Sequence, residues 1–148
     1  MKINTKYFGE IEIQESDIIT FETGIPGFLM ETEFVILPLS DDKVFHAMQS
    51  VKTAELAFVI TNPFLFFQEY DFSLEDSVVE QLAIERVEEV QVYNILTVRD
   101  PLPDTTANLQ APIIINSKNN FAKQVILNNT EYQTRHHIFE KTPAQQKG

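Results

Sequence analysis

The chain has 148 residues, 43% of them hydrophobic, and its formal net charge is −11, from 22 acidic and 11 basic side chains. A chain of this length can bury a core of its own as a single domain. The absence of cysteine excludes disulfides, zinc–thiolate sites and thiol nucleophiles, and the acidity disfavours direct binding to the phosphates of nucleic acids.

The amino-terminal part predicts two strands and a turn. Residues 5–13 alternate between polar and apolar side chains, which places Tyr7, Ile11 and Ile13 on one face of a half-buried strand. A second short strand is predicted at 18–22. A turn with a structural role should follow, because glycine reaches positive φ readily and proline fixes its own φ; its main residues are Gly24, Pro26, Gly27 and Phe28.

The rest of the chain predicts more strands and one helix. Ser73 followed three residues later by Asp76 resembles a capping arrangement, and Leu74, Val78 and Leu82 share a face, so a helix is predicted at about 74–84. Pro63 should begin a strand or lie at a sheet edge, and DPLPD at 100–104 should form a turn. Apolar and β-branched runs predict strands at 34–39, 44–48, 56–60, 90–98, 113–115 and 121–127.

These elements together predict a mainly β protein. Many short strands with one short helix indicate an antiparallel sheet that closes or folds on itself, with the helix packed at one edge. Residues 140–148 are polar and contain proline and glycine, which predicts a flexible tail after a domain at 1–139. No apolar stretch approaches the ~18 residues of a membrane helix and no signal peptide is visible, so we expect a soluble cytoplasmic protein without a membrane partner.

The residue types of known catalytic or metal sites form no recognisable motif here. His46 falls in a predicted strand, and the adjacent His136 and His137 diverge in either a strand or a helix, so neither arrangement favours a metal site. We therefore expect no metal and no other cofactor. An alternative function is a small acidic enzyme that uses a pair of carboxylates as acid and base, since such partners can be distant in sequence.

Charge is distributed unevenly along the chain. Residues 69–104 hold ten acidic and two basic side chains, whereas residues 105–117 hold no charged side chain. The acidic stretch would attract a basic protein partner, although acidity also serves solubility alone. The uncharged segment 105–116 allows two interpretations. In the first, the segment is buried where the chain enters a strand, and Asn108 and Gln110 satisfy backbone groups. In the second, it is a protein-docking surface, since interface cores are depleted in charge.

Five motifs in order resemble the FliW family over about residues 1–139. They are TGIPGF at 23–28, MQS at 48–50, LAFVITNP at 56–63, TANLQAPIIIN at 106–116 and AKQVIL at 122–127. The resemblance implies a compact β-barrel-like domain without enzymatic activity. It also implies two protein partners, flagellin and CsrA, a small basic RNA-binding regulator that represses flagellin translation. In that family, flagellin and CsrA occupy the protein in competing complexes, so that free protein sequesters CsrA when flagellin is scarce.

The sequence offers two candidate surfaces for these partners. Acidic residues around the helix could meet a basic partner while neighbouring aromatic residues supply contact area; these are Glu69, Asp71, Glu75, Asp76 and Glu80 with Phe64, Phe66 and Tyr70. The second surface lies in the uncharged segment and consists of Asn108, Leu109, Gln110 and Pro112.

Overall fold

The computed structural model describes residues 1–128 and 130–139. Those residues form eleven strands, one α-helix and four short 3₁₀ turns. The helix α1 spans Asp76–Gln81. The strands are β1 (Lys2–Thr5), β2 (Gly9–Glu12), β3 (Ile19–Phe21), β4 (Glu33–Pro38), β5 (Phe45–Ser50), β6 (Ala57–Thr61), β7 (Val90–Thr97), β8 (Thr106–Ala107), β9 (Ile113–Asn116), β10 (Phe121–Gln124) and β11 (His136–His137).

Seven strands close into a barrel. Their order is β7-β6-β5-β4-β3-β10-β9, and β9 returns to β7. The first half of β7 pairs with β9, from Val90 to Tyr93, and its second half pairs with β6 at Asn94 and Ile95. The mainly β class is therefore confirmed, and the sheet closes on itself. One pair departs from the predicted antiparallel arrangement, because β3 and β10 run parallel.

The barrel interior is filled by alternate residues of its strands, because successive side chains of a strand point to opposite faces. Along β9, Ile113 and Ile115 belong to the interior cluster while Ile114 packs on the outside. Phe21 and Phe34 are fully buried there and meet edge to face, with ring centroids 5.4 Å apart. Apolar burial of this kind is the main stabilisation of the fold.

The outer face of the barrel is covered by separate pieces of chain. The amino-terminal hairpin, β1 with β2, packs Ile3 and Ile13 on Val35 of β4. Helix α1 packs on Ile114 of β9. Two further pieces, the aromatic segment (residues 62–74) and the strap (residues 130–139), cover Leu96 of β7 and Ala107 of β8. Most barrel strands are thus buried on both faces, which explains why their sequences are runs of apolar residues.

The prediction of a single strand at 5–13 is wrong, because two strands are present, β1 and β2. The chain turns back after Thr5, whose hydroxyl donates to the Gly9 carbonyl at 2.7 Å and accepts from the Phe8 amide at 2.9 Å. Gly9 completes the turn at φ +66°. Tyr7 therefore lies in the turn, 45% exposed, instead of facing the core with Ile11 and Ile13.

The helix is shorter than the predicted 74–84. It spans Asp76–Gln81, Glu75 takes the N-cap position without a side-chain capping bond, and the Ser73 capping arrangement does not form. Two amides fix the other end: Asn116 Nδ2 donates to the Leu82 carbonyl at 2.8 Å, and Asn119 Nδ2 donates to it at 3.1 Å. The helix therefore lies against the outside of β9 by specific bonds as well as apolar contact.

Two other local predictions need correction. Pro63 begins a 3₁₀ turn, Pro63–Leu65, instead of a strand, because the Asn62 side chain accepts from the Phe64 amide and turns the chain. The strand predicted at 121–127 ends at Gln124. The other strands lie close to their predicted positions, and the turn expected at 100–104 is a 3₁₀ turn, Leu102–Asp104. The tail predicted at 140–148 lies outside the described residues.

The turn expected at Gly24–Phe28 is present, and it is tightly fixed. Gly24 and Gly27 have φ of +74° and +87°. A Cβ at Gly24 would lie 2.3 Å from the Leu29 carbonyl oxygen, whereas a Cβ at Gly27 would meet nothing within 4 Å. The turn leaves Phe28 42% exposed.

A carboxylate fixes the chain after this turn. Glu31 accepts hydrogen bonds from the Ser50 hydroxyl at 2.5 Å and the Thr53 hydroxyl at 2.6 Å. These two bonds, Ser50 first, lower the pKa of the Glu31 carboxyl below its usual range. The bonds join the chain leading into β4 to the end of β5 and the loop that follows it.

Candidate functional site

An acidic groove lies on the outside of the barrel between the aromatic segment and the chain that follows helix α1. It encloses about 570 Å³. Its lining includes Phe64, Phe72 and Leu74 of the aromatic segment, Val79 of the helix, and Ile84 and Val87 of the chain that follows it. A cleft with apolar walls of this size can accept side chains of a partner.

The rim of the groove carries the negative charge. Asp71 and Glu85 line it, and Arg86 is the one basic side chain in its lining among the described residues. Glu75, Asp76 and Glu80 lie exposed on helix α1 or directly before it. Of the five predicted acidic residues, only Asp71 lines the groove, and Glu75, Asp76 and Glu80 follow it closely in the chain. Glu69 is also exposed but does not line it.

The predicted aromatic contacts divide into exposed and buried ones. Phe64 lines the groove and is 42% exposed. Tyr70 beside it is only 4% exposed, its hydroxyl donates to the Leu109 carbonyl at 2.7 Å, and burial raises its pKa to about 12. Tyr70 is therefore a buried support for the groove, so its prediction as an exposed contact needs correction.

Phe66 lies away from the acidic groove. Its ring stacks on Phe45 at 6.1 Å and meets Phe139 edge to face at 6.2 Å. The side chain is half-buried under these neighbours. Phe66 is close to Phe64 and Tyr70 in sequence but lies at a different surface, because the 3₁₀ turn Pro63–Leu65 redirects the chain.

The uncharged segment is largely buried. Leu109 is 2% exposed and Pro112 is buried. The Asn108 side chain accepts from the Gln110 amide at 3.1 Å and the Ala111 amide at 3.0 Å. Asn108 therefore satisfies backbone groups with its side chain, as the first interpretation of this segment expects. Gln110 instead forms its hydrogen bonds through its backbone. Only Asn108 and Gln110 of the four candidates reach the surface.

A second groove has no counterpart in the sequence predictions. This apolar groove encloses about 530 Å³ on the outer face of the barrel, between Tyr7 of the hairpin turn and Phe139 of the strap. Its floor comes from outward-facing residues of several strands; these include Phe45, Ala57, Val59 and Leu96. Each is an ordinary strand residue in sequence, so only the fold reveals their common surface.

The histidines do not assemble a metal site. His46 packs edge-on against Tyr93 with ring centroids 5.9 Å apart, and its imidazole pKa is lowered by burial and then by Lys43. His136 and His137 pair with β8. Over residues 1–128 and 130–139, no three side chains of the metal-binding types cluster closely enough to hold an ion. In the same part of the chain, no helix is long and apolar enough to cross a membrane.

The fold defines a class of protein, a closed seven-stranded barrel whose outer face is covered by separate pieces of chain. A sequence model described as FliW protein matches residues 2–138. The chain belongs to the FliW family.

Relatives agree with this assignment over nearly their full length. The flagellar assembly factor FliW of Geobacillus kaustophilus (strain HTA426) is 54% identical over 144 residues, which are 97% of this chain and 99% of the relative. That of Bacillus subtilis (strain 168) is 52% identical over 93% and 96% of the two chains. A crystal structure of the flagellar assembly factor FliW superposes with a TM-score of 0.91 at 52% identity, covering 95% of this chain and 99% of that one.

Proposed function

We propose that this protein is a non-enzymatic flagellar assembly factor that acts in the cytoplasm by binding CsrA and flagellin in competing complexes. The names of its relatives support the assembly role. The two partners come from the family resemblance. The observation that carries the proposal is the acidic groove, because CsrA is basic and an apolar recess with an acidic rim suits a basic partner.

The switch then follows from mass action. When flagellin is scarce, free protein sequesters CsrA and flagellin translation proceeds. When flagellin accumulates, it occupies the protein and CsrA is released. The difference in binding free energy between the two complexes sets the switch point, and a tenfold preference corresponds to about 1.4 kcal/mol.

The acidic surface at helix α1, beside the groove, is tested by reversing three exposed residues together, Glu75→Lys, Asp76→Lys and Glu80→Lys. Rim charges act mainly on encounter, so the association rate for CsrA should fall and lose most of its salt dependence. Rates are measured at low and high salt. The matched control reverses the exposed carboxylates Glu15, Glu22 and Glu55, which lie elsewhere in sequence. If the triple reversal at the helix leaves the association rate and its salt dependence unchanged, the acidity serves solubility alone.

The apolar wall is tested by Phe64→Ala. Loss of a contact in the groove should speed dissociation of CsrA and leave association nearly unchanged. Phe121→Ala is the control, because Phe121 is similarly exposed, 44% against 42%, but does not line the groove. Flagellin binding measured with the same variants tells whether it uses the acidic groove as well. If Phe64→Ala behaves as Phe121→Ala for CsrA, the groove is not the CsrA site.

We also propose that the protein does not bind the flagellin transcript itself and acts only by removing CsrA. Its net charge of −11 opposes contact with RNA phosphates. A gel-shift titration of the leader RNA should show no complex with this protein alone at physiological salt. Saturable micromolar binding would contradict the proposal.

A further inference from the structure

One loop lines the acidic groove with residues that have little packing of their own. The linking loop (residues 82–89) joins helix α1 to β7, and four of its residues line the groove: Ile84, Glu85, Arg86 and Val87. Leu82 is the one buried residue of the loop, and Val87 is 79% exposed. Segments with few buried contacts open more easily than the rest of a fold. We therefore expect contacts from outside the loop to set its position.

The linking loop begins in a strained conformation. The Ala83 amide donates to the Glu80 carbonyl at 3.1 Å, and the Ile84 amide donates to the Val79 carbonyl at 3.0 Å. This pair of bonds ends helix α1 as a Schellman motif, which requires a left-handed residue at position 83. Ala83 has φ +53°, a conformation that costs free energy in a residue with a Cβ and that glycine usually takes. Contacts that hold Ala83 in this conformation therefore stabilise the start of the loop.

The β9–β10 turn (residues 116–120) holds the start of the linking loop. Asn116 Nδ2 donates to the Leu82 carbonyl at 2.8 Å and to the Ala83 carbonyl at 3.2 Å. Asn119 Nδ2 donates to the same Leu82 carbonyl at 3.1 Å. The last carbonyls of a helix have no partner within the helix, so these two side chains supply the missing donors. Asn116 is 34 positions from Leu82 in the chain, so the bonds join separate elements of the fold.

The same turn holds the end of the linking loop. The Ser117 amide and hydroxyl both donate to the Glu89 carbonyl, at 2.8 Å and 2.9 Å. The Glu89 carboxylate accepts from the Glu85 amide at 3.0 Å and the Arg86 amide at 2.9 Å, and these bonds lower the pKa of its carboxyl. Lys118 is exposed, so its ion pairs with Glu85 and Glu89, at 4.0 Å and 3.9 Å, contribute little. One turn thus fixes both ends of the loop.

We propose that Asn116 and Asn119 are positioning residues for the acidic groove, because their side-chain amides hold the linking loop so that the groove is formed before a partner arrives. Neither asparagine lines the groove, so each acts through the loop. A preformed site binds more tightly than one that must be ordered on binding, since less conformational entropy is lost. This role rests on the proposed function, in which the groove receives CsrA.

Two matched substitutions in the β9–β10 turn isolate the donor. Asn119→Asp keeps the acceptor for the Phe121 amide, now at 2.9 Å, but loses the donor to the Leu82 carbonyl. Asn120→Asp is the control, because it adds the same charge to the same turn, and the donor that it loses bonds the Ser16 carbonyl at 2.9 Å instead of the loop. A difference between the two variants therefore reports the bond to the linking loop alone. Asn116 has no exposed surface and is left unchanged.

Hydrogen exchange on the full chain measures how firmly the loop is held. The Ala83 and Ile84 amides should exchange about tenfold faster in Asn119→Asp than in Asn120→Asp, because the helix end opens more often without its donor. Amides in the barrel, such as that of Ile60, should exchange equally in both variants. Equal exchange at the helix end would overturn the proposal. Equal acceleration at the barrel amides would also overturn it, because the loss would then be general unfolding.

CsrA binding to the same two variants tests the consequence for the site. The Kd for CsrA should be about threefold higher for Asn119→Asp than for Asn120→Asp, since part of the groove must then be ordered on binding. Equal Kd values, while Phe64→Ala still speeds dissociation, would overturn the positioning role and leave the proposed function standing. No binding of CsrA by the unmodified protein would overturn the proposed function, and the positioning role with it.

Discussion

The interior and the outer face of the barrel are both apolar, but they are closed in different ways. Inside, residues from all seven barrel strands meet one another, and Phe34 and Ile113 have no exposed surface. Outside, separate pieces of chain cover parts of the sheet, such as the hairpin on Val35 or the helix on Ile114. The interior therefore decides whether the chain folds, and the covers decide which surfaces a partner can reach.

The largest loss of stability should come from removing a buried side chain inside the barrel. Phe34→Ala removes a fully buried ring that packs on Phe21 and Phe58. Loss of its transfer free energy and the remaining cavity should reduce the free energy of unfolding by about 3–5 kcal/mol. Denaturant unfolding measures this. A loss below about 1 kcal/mol would mean that the interior is looser than its burial indicates.

A smaller effect is expected from the turn at Gly24. Gly24→Ala must strain a positive φ and also move the Leu29 backbone, which lies 2.3 Å from the new Cβ, so about 2–3 kcal/mol should be lost. Gly27→Ala is the matched control, with a positive φ but open space, and should cost about 1 kcal/mol. Equal losses measured by thermal unfolding would refute the steric part of the argument.

The Glu31 carboxylate should give a pH-dependent effect, smaller again. Its folded pKa lies below the usual 4.5, so it contributes stability above that pH and loses it as pH falls through the folded value. Glu31→Gln should therefore lower Tm at neutral pH, and the difference from the unmodified protein should shrink below about pH 4.5. Melting curves across this range provide the measurement. A constant difference would exclude the carboxylate as its source.

The smallest effect on stability should come from the acidic groove. Phe64→Ala removes a ring that is 42% exposed, so the free energy of unfolding should change by less than about 0.5 kcal/mol. Denaturant unfolding of this variant beside Phe34→Ala tests the comparison directly. A loss approaching that of Phe34→Ala would place Phe64 in the core and remove it from the candidate contacts.

Much of the barrel could be predicted from sequence, because strands buried on both faces are short apolar runs. β4, β6, β7 and β9 lie within a residue or two of their predicted positions. The hairpin was missed because Thr5 and Gly9 form their turn inside an alternating pattern that a single strand would also produce. The parallel pairing of β3 with β10 joins distant segments, and local periodicity carries no information about it.

The acidic part of the candidate site is a local feature of the sequence, and its role in binding stays a prediction. Asp71, Glu75 and Glu80 are close in sequence and lie around one groove or on the helix beside it. Tyr70 was misjudged because its burial depends on Leu109 and Tyr132, far along the chain. The apolar groove could not be predicted from the sequence, because its lining comes from widely separated residues such as Tyr7, Val59 and Phe139.

The parallel contact between β3 and β10 has a consequence for how the protein forms. Thr20 and Phe121 are paired although roughly a hundred positions separate them in the chain. During synthesis, β3 to β6 can pair as they emerge, but the ring cannot close until β10 has been made. Until then the interior face, including Phe21 and Phe34, has no closing wall. The nascent chain therefore exposes the apolar interior face of the barrel for most of its synthesis. Closure of the barrel is a late step that joins distant segments of the chain.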